Sequence, residues 1–292
     1  MFSSIFARSP PPPPEKIPVD RQSVRVGNEN PKCNSSLEQS RWSSSKQAGD
    51  VCELSVGAID IAFRWCPPGK FTIGSPLYQI SRKDNEDQVQ VELTTGFWMQ
   101  ETVVTQAMWT AVMNSQPWLG QDKAYNWETF PATCVNWDDA TEFCHRLTAA
   151  AKQASVLTTG QIELPTEARW EYACRAGTTM AYSFGNDSHK LDEYAWFDGN
   201  TNREKYAHEV GRKQANPWGL WDMHGNVWDW CQDAYNRKLI GGRDPVAVSG
   251  VARVLRGGAW NDLRKNARCS SRNFSNPFNR YCDIGFRVMA EL

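Results

Sequence analysis

Beyond Thr178 the sequence contains no apolar repeat of helical period long enough to build a long helix. Gly-, Asn- and Asp-rich loops alternate there with short strand-like runs at residues 226–230, 253–256 and 284–288. An α+β domain with few helices and much irregular backbone is the fold class this predicts. The helices lie earlier. Thr105 can cap a short one through Met113, and Asn136 can cap another over 137–152, with Asp138 and Asp139 in its first turn facing the helix dipole. Ala140, Phe143, Cys144 and Leu147 then share one face. Pro165-Thr166-Glu167 opens a third helix. Ahead of these, residues 58–65 alternate as a strand does, and Cys66-Pro67-Pro68-Gly69 turns the chain into a second strand at 71–74. Residues 89–92 and 96–99 suggest another strand pair.

This domain is expected over residues 50–292. Residues 1–49 carry a run from Pro10 to Pro14, clustered serines and few large apolar groups, so burial cannot offset their ordering entropy and a disordered Pro/Ser-rich arm is expected. The apolar stretch at the N-terminus is too short for a secretory signal, and no segment has the 18 or so apolar residues of a membrane helix. A cytoplasmic location is the default that follows, with surface display by another route as the alternative. The 32 Lys and Arg nearly balance 33 Asp and Glu, which argues against a polyanion-binding protein, so no nucleic-acid partner is expected.

Nine cysteines lack any CxxC or other close pair, which excludes a zinc ribbon and a thioredoxin-like site. Most are expected to be small buried hydrophobes in a reducing compartment. Fourteen tryptophans point to a core built from large rings.

Four segments carry a resemblance. They are Gly69-Lys70-Phe71-Thr72-Ile73-Gly74-Ser75; Leu164 through Thr178 (LPTEARWEYACRAGT); Asn216 through Trp230 (NPWGLWDMHGNVWDW); and Arg256-Gly257-Gly258-Ala259-Trp260 with Ile284-Gly285-Phe286-Arg287-Val288. In this order they resemble the formylglycine-generating-enzyme (sulfatase-modifying factor) family, which implies a C-type-lectin-like fold. The resemblance also suggests an oxygen- and copper-dependent oxidase, whose paired cysteines follow the Gly-Gly-x-aromatic segment. Here that segment continues Trp260-Asn261-Asp262-Leu263-Arg264-Lys265-Asn266, with no cysteine before Cys269 and the next at Cys282. Related iron enzymes need a histidine cluster, whereas His145, His189, His208 and His224 are scattered. A non-catalytic chain is therefore expected, with the copper oxidase as the alternative and a structural or regulatory module as a third reading. The family also implies a structural calcium ion held by the Asp222 and Asp229 carboxylates and the Gly225 and Val227 carbonyls, an oxygen set that suits this cation. Asp229 stands where the family usually has Glu. No organic cofactor is expected.

Residues 261–283 contain five Asn and lack Glu, Gln, Met and Trp, while Phe274, Phe278 and Tyr281 stand among polar and turn-forming neighbours with no regular period. Such a segment is expected to be a surface loop region bearing exposed rings. It resembles the variable region of proteins diversified by retroelements, in which a reverse transcriptase randomises adenines of Asn codons. Substitution in the first two codon positions cannot give Lys, Glu, Gln, Met or Trp, a restriction that only Lys265 breaks. Residues 253–288 are then the variable region of a ligand-binding protein. Its expected contact residues are Asp262, Leu263, Ser271, Phe274, Ser275, Phe278, Tyr281, Cys282 and Asp283, all pointing to solvent on one patch. Gly257, Gly258, Trp260, Ile284, Gly285 and Phe286 should be scaffold. The partner expected is an unknown protein or small molecule, bound by a monomer. Residues 251–292 hold eight basic and three acidic groups, a basic excess for which pairing of Arg256, Arg272 and Arg287 with acids elsewhere is expected.

Overall fold

A computed structural model of the chain describes residues 46–291. The proline run and nearly all of the expected N-terminal arm lie outside the described residues. The fold is α+β, with four α-helices and fourteen short strands among the described residues.

The first sheet has five strands in the order β1 (Val51–Val56), β2 (Ile59–Cys66), β5 (Phe97–Gln100), β14 (Met289–Glu291) and β6 (Gln161–Glu163). The C-terminal strand thus fills the slot between two strands made much earlier. A second sheet joins β3 (Gly69–Ile73), β4 (Val89–Leu93) and β10 (Gly242–Arg243). Residues 89–92 and 96–99 do form strands, but they do not pair with each other. β4 pairs with β3 and β5 with β2.

A third sheet, β12 (Arg272–Ser275), β11 (Arg253–Arg256), β9 (Trp228–Ala234) and β13 (Ile284–Gly285), carries the C-terminal segment. β7 (Ala195–Trp196) and β8 (His224–Gly225) make a short parallel pair. The run at 284–288 is not one strand. It breaks after Gly285, where Arg287 turns inward to Asp229, and re-enters the first sheet as β14.

The helices start where their caps predict. Thr105 Oγ1 accepts the Met108 N–H at the head of α1 (Gln106–Met113). Asn136 and Asp139 cap α2 (Trp137–Gln153) reciprocally, each side chain accepting the other's backbone N–H at 2.8 and 3.0 Å. Thr166 caps α3 (Glu167–Arg175), and α4 (Leu191–Tyr194) is a single turn.

Trp109, Phe143 and Phe286 meet in the main core, with ring centroids 5.3–6.0 Å apart, so large rings from α1, α2 and the C-terminal segment close it together. A second core lies under α3, around Trp170, Phe97 and Met289.

Candidate functional site

After β11 the chain leaves the sheet, rejoins its edge as β12 and leaves again before returning as β13. Trp260 is buried at the exit, and Ile284, Gly285 and Phe286 are buried at the re-entry, as expected of scaffold. Gly258 has φ +83°, and a Cβ there would meet the Asn266 carbonyl at 3.0 Å, so the turn admits only glycine without strain.

The excursion is not wholly a surface loop. Residues 267–272 are buried, and β12 begins at the last of them. Among the expected contact residues, Leu263, Phe274, Phe278 and Tyr281 are exposed, at 57, 50, 71 and 52%. Ser271 and Ser275 are buried, correcting the expectation that they face solvent. Ser271 lies beside Arg256, which binds its carbonyl at 2.6 Å, and Ser275 Oγ accepts a bond from Asn279 at 2.9 Å. Asp262, Cys282 and Asp283 are half-buried. Asp262 is turned to internal work, accepting from the Ala259 N–H and the Asn266 amide.

The rings divide. Phe274 stacks on Tyr235 with centroids 4.2 Å apart. Tyr281, Cys282 and Asp283 instead line an open cleft of about 390 Å³ with Trp260, Asn261, Arg280 and the facing 120–123 loop. Asn261 Nδ2 donates to Asp283 across its base at 3.0 Å, and Arg280 is fastened to Asp139 at the head of α2. A separate groove of about 460 Å³ runs between α2 and β6 and shares no residue with this segment.

The basic excess of the C-terminal segment is largely internal. Arg256 pairs with Glu171, Arg272 binds Glu167 at 2.6 and 2.8 Å, Arg268 binds Glu86 at 2.7 and 2.8 Å, and Arg287 binds Asp229 at 2.8 Å. All four arginines are buried.

The sequence missed two thiol pairings, because each joins cysteines far apart in the chain. Cys174 and Cys269 are buried in hydrogen-bond contact, and their sulfurs lie within 4.8 Å of each other and of a His224 ring nitrogen. Both His224 nitrogens are already engaged. Nδ1 faces the Ala267 carbonyl at 2.7 Å, and Nε2 accepts the Ser183 N–H at 3.2 Å. Burial pushes this imidazole's pKa down to about 4, so it is neutral at pH 7. The second pair is Cys134 and Cys282, also in hydrogen-bond contact. Cys269 and Cys282 are thus partnered separately. Cys66, Cys134, Cys144, Cys174, Cys231, Cys269 and Cys282 form no disulfide.

The loop expected to hold calcium is tightly wound. Asp222, Gly225 and Asn226 all have positive φ, and a Cβ on Gly225 would meet the Trp196 carbonyl at 2.2 Å. Asp222 and Asp229 are buried, and each keeps one carboxylate oxygen, Oδ1, without a partner. Asp222 Oδ2 accepts the Gly211 N–H at 2.8 Å, and Asp229 Oδ2 accepts from Trp170 and Arg287. Burial, with the neighbouring Asp229 charge adding to it, raises the Asp222 pKa to about 6. Two orphaned buried carboxylate oxygens fit a hard cation. Asp229 has only one oxygen to offer, since Arg287 and Trp170 hold the other.

The strand order, the irregular loops and the Asp222–Asp229 turn define a C-type-lectin-like domain of the formylglycine-generating-enzyme type. The chain belongs to the sulfatase-modifying factor enzyme 1-like domain family, whose profile matches residues 62–292. It is 26% identical to mouse formylglycine-generating enzyme, over 77% of this chain and 74% of that one. It is 38% identical to the serine/threonine-protein kinase pkn1 of Chlamydia caviae over 42% of this chain, which spans only 20% of the kinase's length. Among solved structures it is similar to Treponema denticola variable protein 1, with a TM-score of 0.72 and 27% identity, covering 83% of this chain and 99% of that one.

Proposed function

We propose that this chain is a non-catalytic ligand-binding protein whose residues 253–288 form a surface diversified by a retroelement. One observation carries the reading. The cleft beside Trp260 is lined by Tyr281, Cys282 and Asp283, which belong to the segment of restricted, Asn-rich composition. Buried strands anchor that segment on both sides. Phe278 and Leu263 of the same segment are exposed. Similarity to the Treponema denticola variable protein over most of both chains supports the same reading. Aromatic side chains at a cleft give contact area at little rotamer cost, which suits a protein or small-molecule ligand.

The test lies in the neighbouring DNA. A near-copy of the codons for residues 253–288, mismatched only at adenines and close to a reverse-transcriptase gene, is the expected result. Finding neither within a few kilobases discards the diversification.

The Asp222 loop is assigned a structural calcium ion in this proposal, held by Asp222, Asp229 and the Gly225 and Val227 carbonyls. Bound calcium would neutralise two buried carboxylates and brace the turn that leads into β9. A thermal midpoint that rises with calcium in the wild type, but not in Asp222→Asn, is the expected outcome.

The oxidase reading has one observation in its favour, the contact between the Cys134 and Cys282 thiols beside the cleft. Stoichiometric Cu(I) binding that is lost in Cys282→Ser, together with oxygen uptake in the presence of a cysteine-containing peptide, would put that reading first.

A further inference from the structure

We propose that Cys134 and Cys282 form a thiol–disulfide exchange site, at which a small-molecule disulfide converts the pair into a bridge clamping the C-terminal segment to the head of α2. The proposal is independent of what the cleft binds.

The geometry that supports it is local. The Cys134 N–H donates to the Tyr281 carbonyl at 3.0 Å, so the backbones on either side of the two thiols are already joined. The Trp137 N–H donates to the Pro277 carbonyl at 3.0 Å, and Arg280 is fastened to Asp139, so the same loop is held to the same helix end at two further points. Cys134 is one of the non-glycine residues with positive φ, +59°, in a region of the backbone that L-residues seldom occupy. Closing a disulfide across such a frame moves little chain, which is the condition under which the bond forms without large strain.

Access and reactivity are divided between the two thiols. Cys282 is half-buried and lines the open cleft, where a reagent can reach it. Cys134 is buried behind it. The hydrogen bond from the Cys134 thiol lowers the Cys282 pKa; burial and Asp283 oppose this, and Lys123 on the facing loop assists it. The same contact raises the Cys134 pKa. Cys282 is thus the attacking thiol and Cys134 the resolving one.

With glutathione disulfide as oxidant, the Cys282 thiolate attacks one sulfur, the reagent's S–S bond breaks, and one glutathione leaves as thiolate. Cys134 then gives up its proton and attacks the Cys282 sulfur of the mixed disulfide, expelling the second glutathione. Two protein thiols are oxidised, one glutathione disulfide is reduced to two thiols, and the protons released by the protein end on those thiols.

The Cys174–Cys269 pair provides an internal control. It is also a thiol pair in contact, but both members are buried and neither lines the cleft. If proximity alone governed oxidation, both pairs would close. If access governs it, only the pair at the cleft should.

The test uses the full chain, reduced, freed of reductant and exposed to glutathione disulfide under native conditions, then alkylated and mapped by mass spectrometry without reduction. The expected product is a peptide bridged through Cys134 and Cys282, with Cys174 and Cys269 alkylated only after unfolding. Amide hydrogen exchange over residues 279–283 should slow in the oxidised protein and recover with dithiothreitol. Cys134→Ser should stop at a stable glutathione adduct on Cys282, and Cys282→Ser should give neither adduct nor bridge. A wild-type adduct on Cys282 that persists with Cys134 unreacted would overturn the proposal. So would a 174–269 bridge formed in preference, or survival of all the thiols when the reagent is in excess.

Discussion

Asp222 is a carboxyl group in a place that suits an ionised one poorly. Its folded pKa of about 6 lies above the ordinary value of 3.8, mainly because burial disfavours the charge. Between those two values the unfolded chain has already released the proton that the folded chain keeps. The unfolded state therefore binds fewer protons, and stability falls as pH rises from about 4 to about 6, then levels. Without divalent cations, Asp222→Asn should remove that slope and gain on the order of 2 kcal/mol at pH 7, with no gain below pH 4, in urea unfolding across pH. An unchanged slope in the variant would mean that another group titrates. Which aspartates to examine was legible in the motif around Gly225. That Asp229 gives one oxygen to Arg287 was not, because the two stand 58 positions apart and only the return of the chain as β13 brings them together.

At the scale of elements, the caps were the clearest text. Thr105, Asn136 and Thr166 each begin a helix, because a short polar side chain can satisfy a backbone N–H within three residues, a purely local matter. Strand partners are not local, which is why β4 and β5 read as a hairpin yet belong to different sheets. In the C-terminal excursion the absence of periodicity concealed a buried stretch, since residues 267–272 are held by arginine ion pairs that leave no apolar pattern. Two substitutions separate scaffold from display. Trp260→Ala empties a buried ring site next to Gly258 and should cost about 3–5 kcal/mol in chemical denaturation. Phe278→Ala, at a mostly exposed ring, should change stability by less than about 0.5 kcal/mol. A loss below about 1 kcal/mol for the first, or above it for the second, would show that the boundary between scaffold and display has been drawn in the wrong place.

Across the whole molecule, buried ion pairs tie distant parts of the chain into one body. Glu171 on α3 binds Arg175 at 2.7 Å and also meets Arg256 of β11, while Glu167 holds Arg272 of β12, and Arg268 reaches back 182 positions to Glu86. A count of charges could register a basic C-terminal excess but could not place it indoors, since pairing depends on topology. Such networks add little net stability over an apolar core, but losing one partner leaves a buried charge exposed to its full desolvation cost. Glu171→Gln should therefore destabilise by about 3–5 kcal/mol, read as a lower urea midpoint. A change of less than about 1 kcal/mol would mean that Arg175 and Arg256 find other acceptors.

β14 completes the first sheet from the far side of the excursion, hydrogen-bonded to β5 on one side and β6 on the other. An insertion or deletion of a single base anywhere in the codons for 253–288 would shift the reading frame, and the protein made would lack that strand. The gap would open in the middle of a five-stranded sheet, where no neighbour can cover it. On the proposed reading, copying errors of this kind are screened without any dedicated machinery: a misframed copy makes no folded product, and every copy that folds has been read in frame to its end.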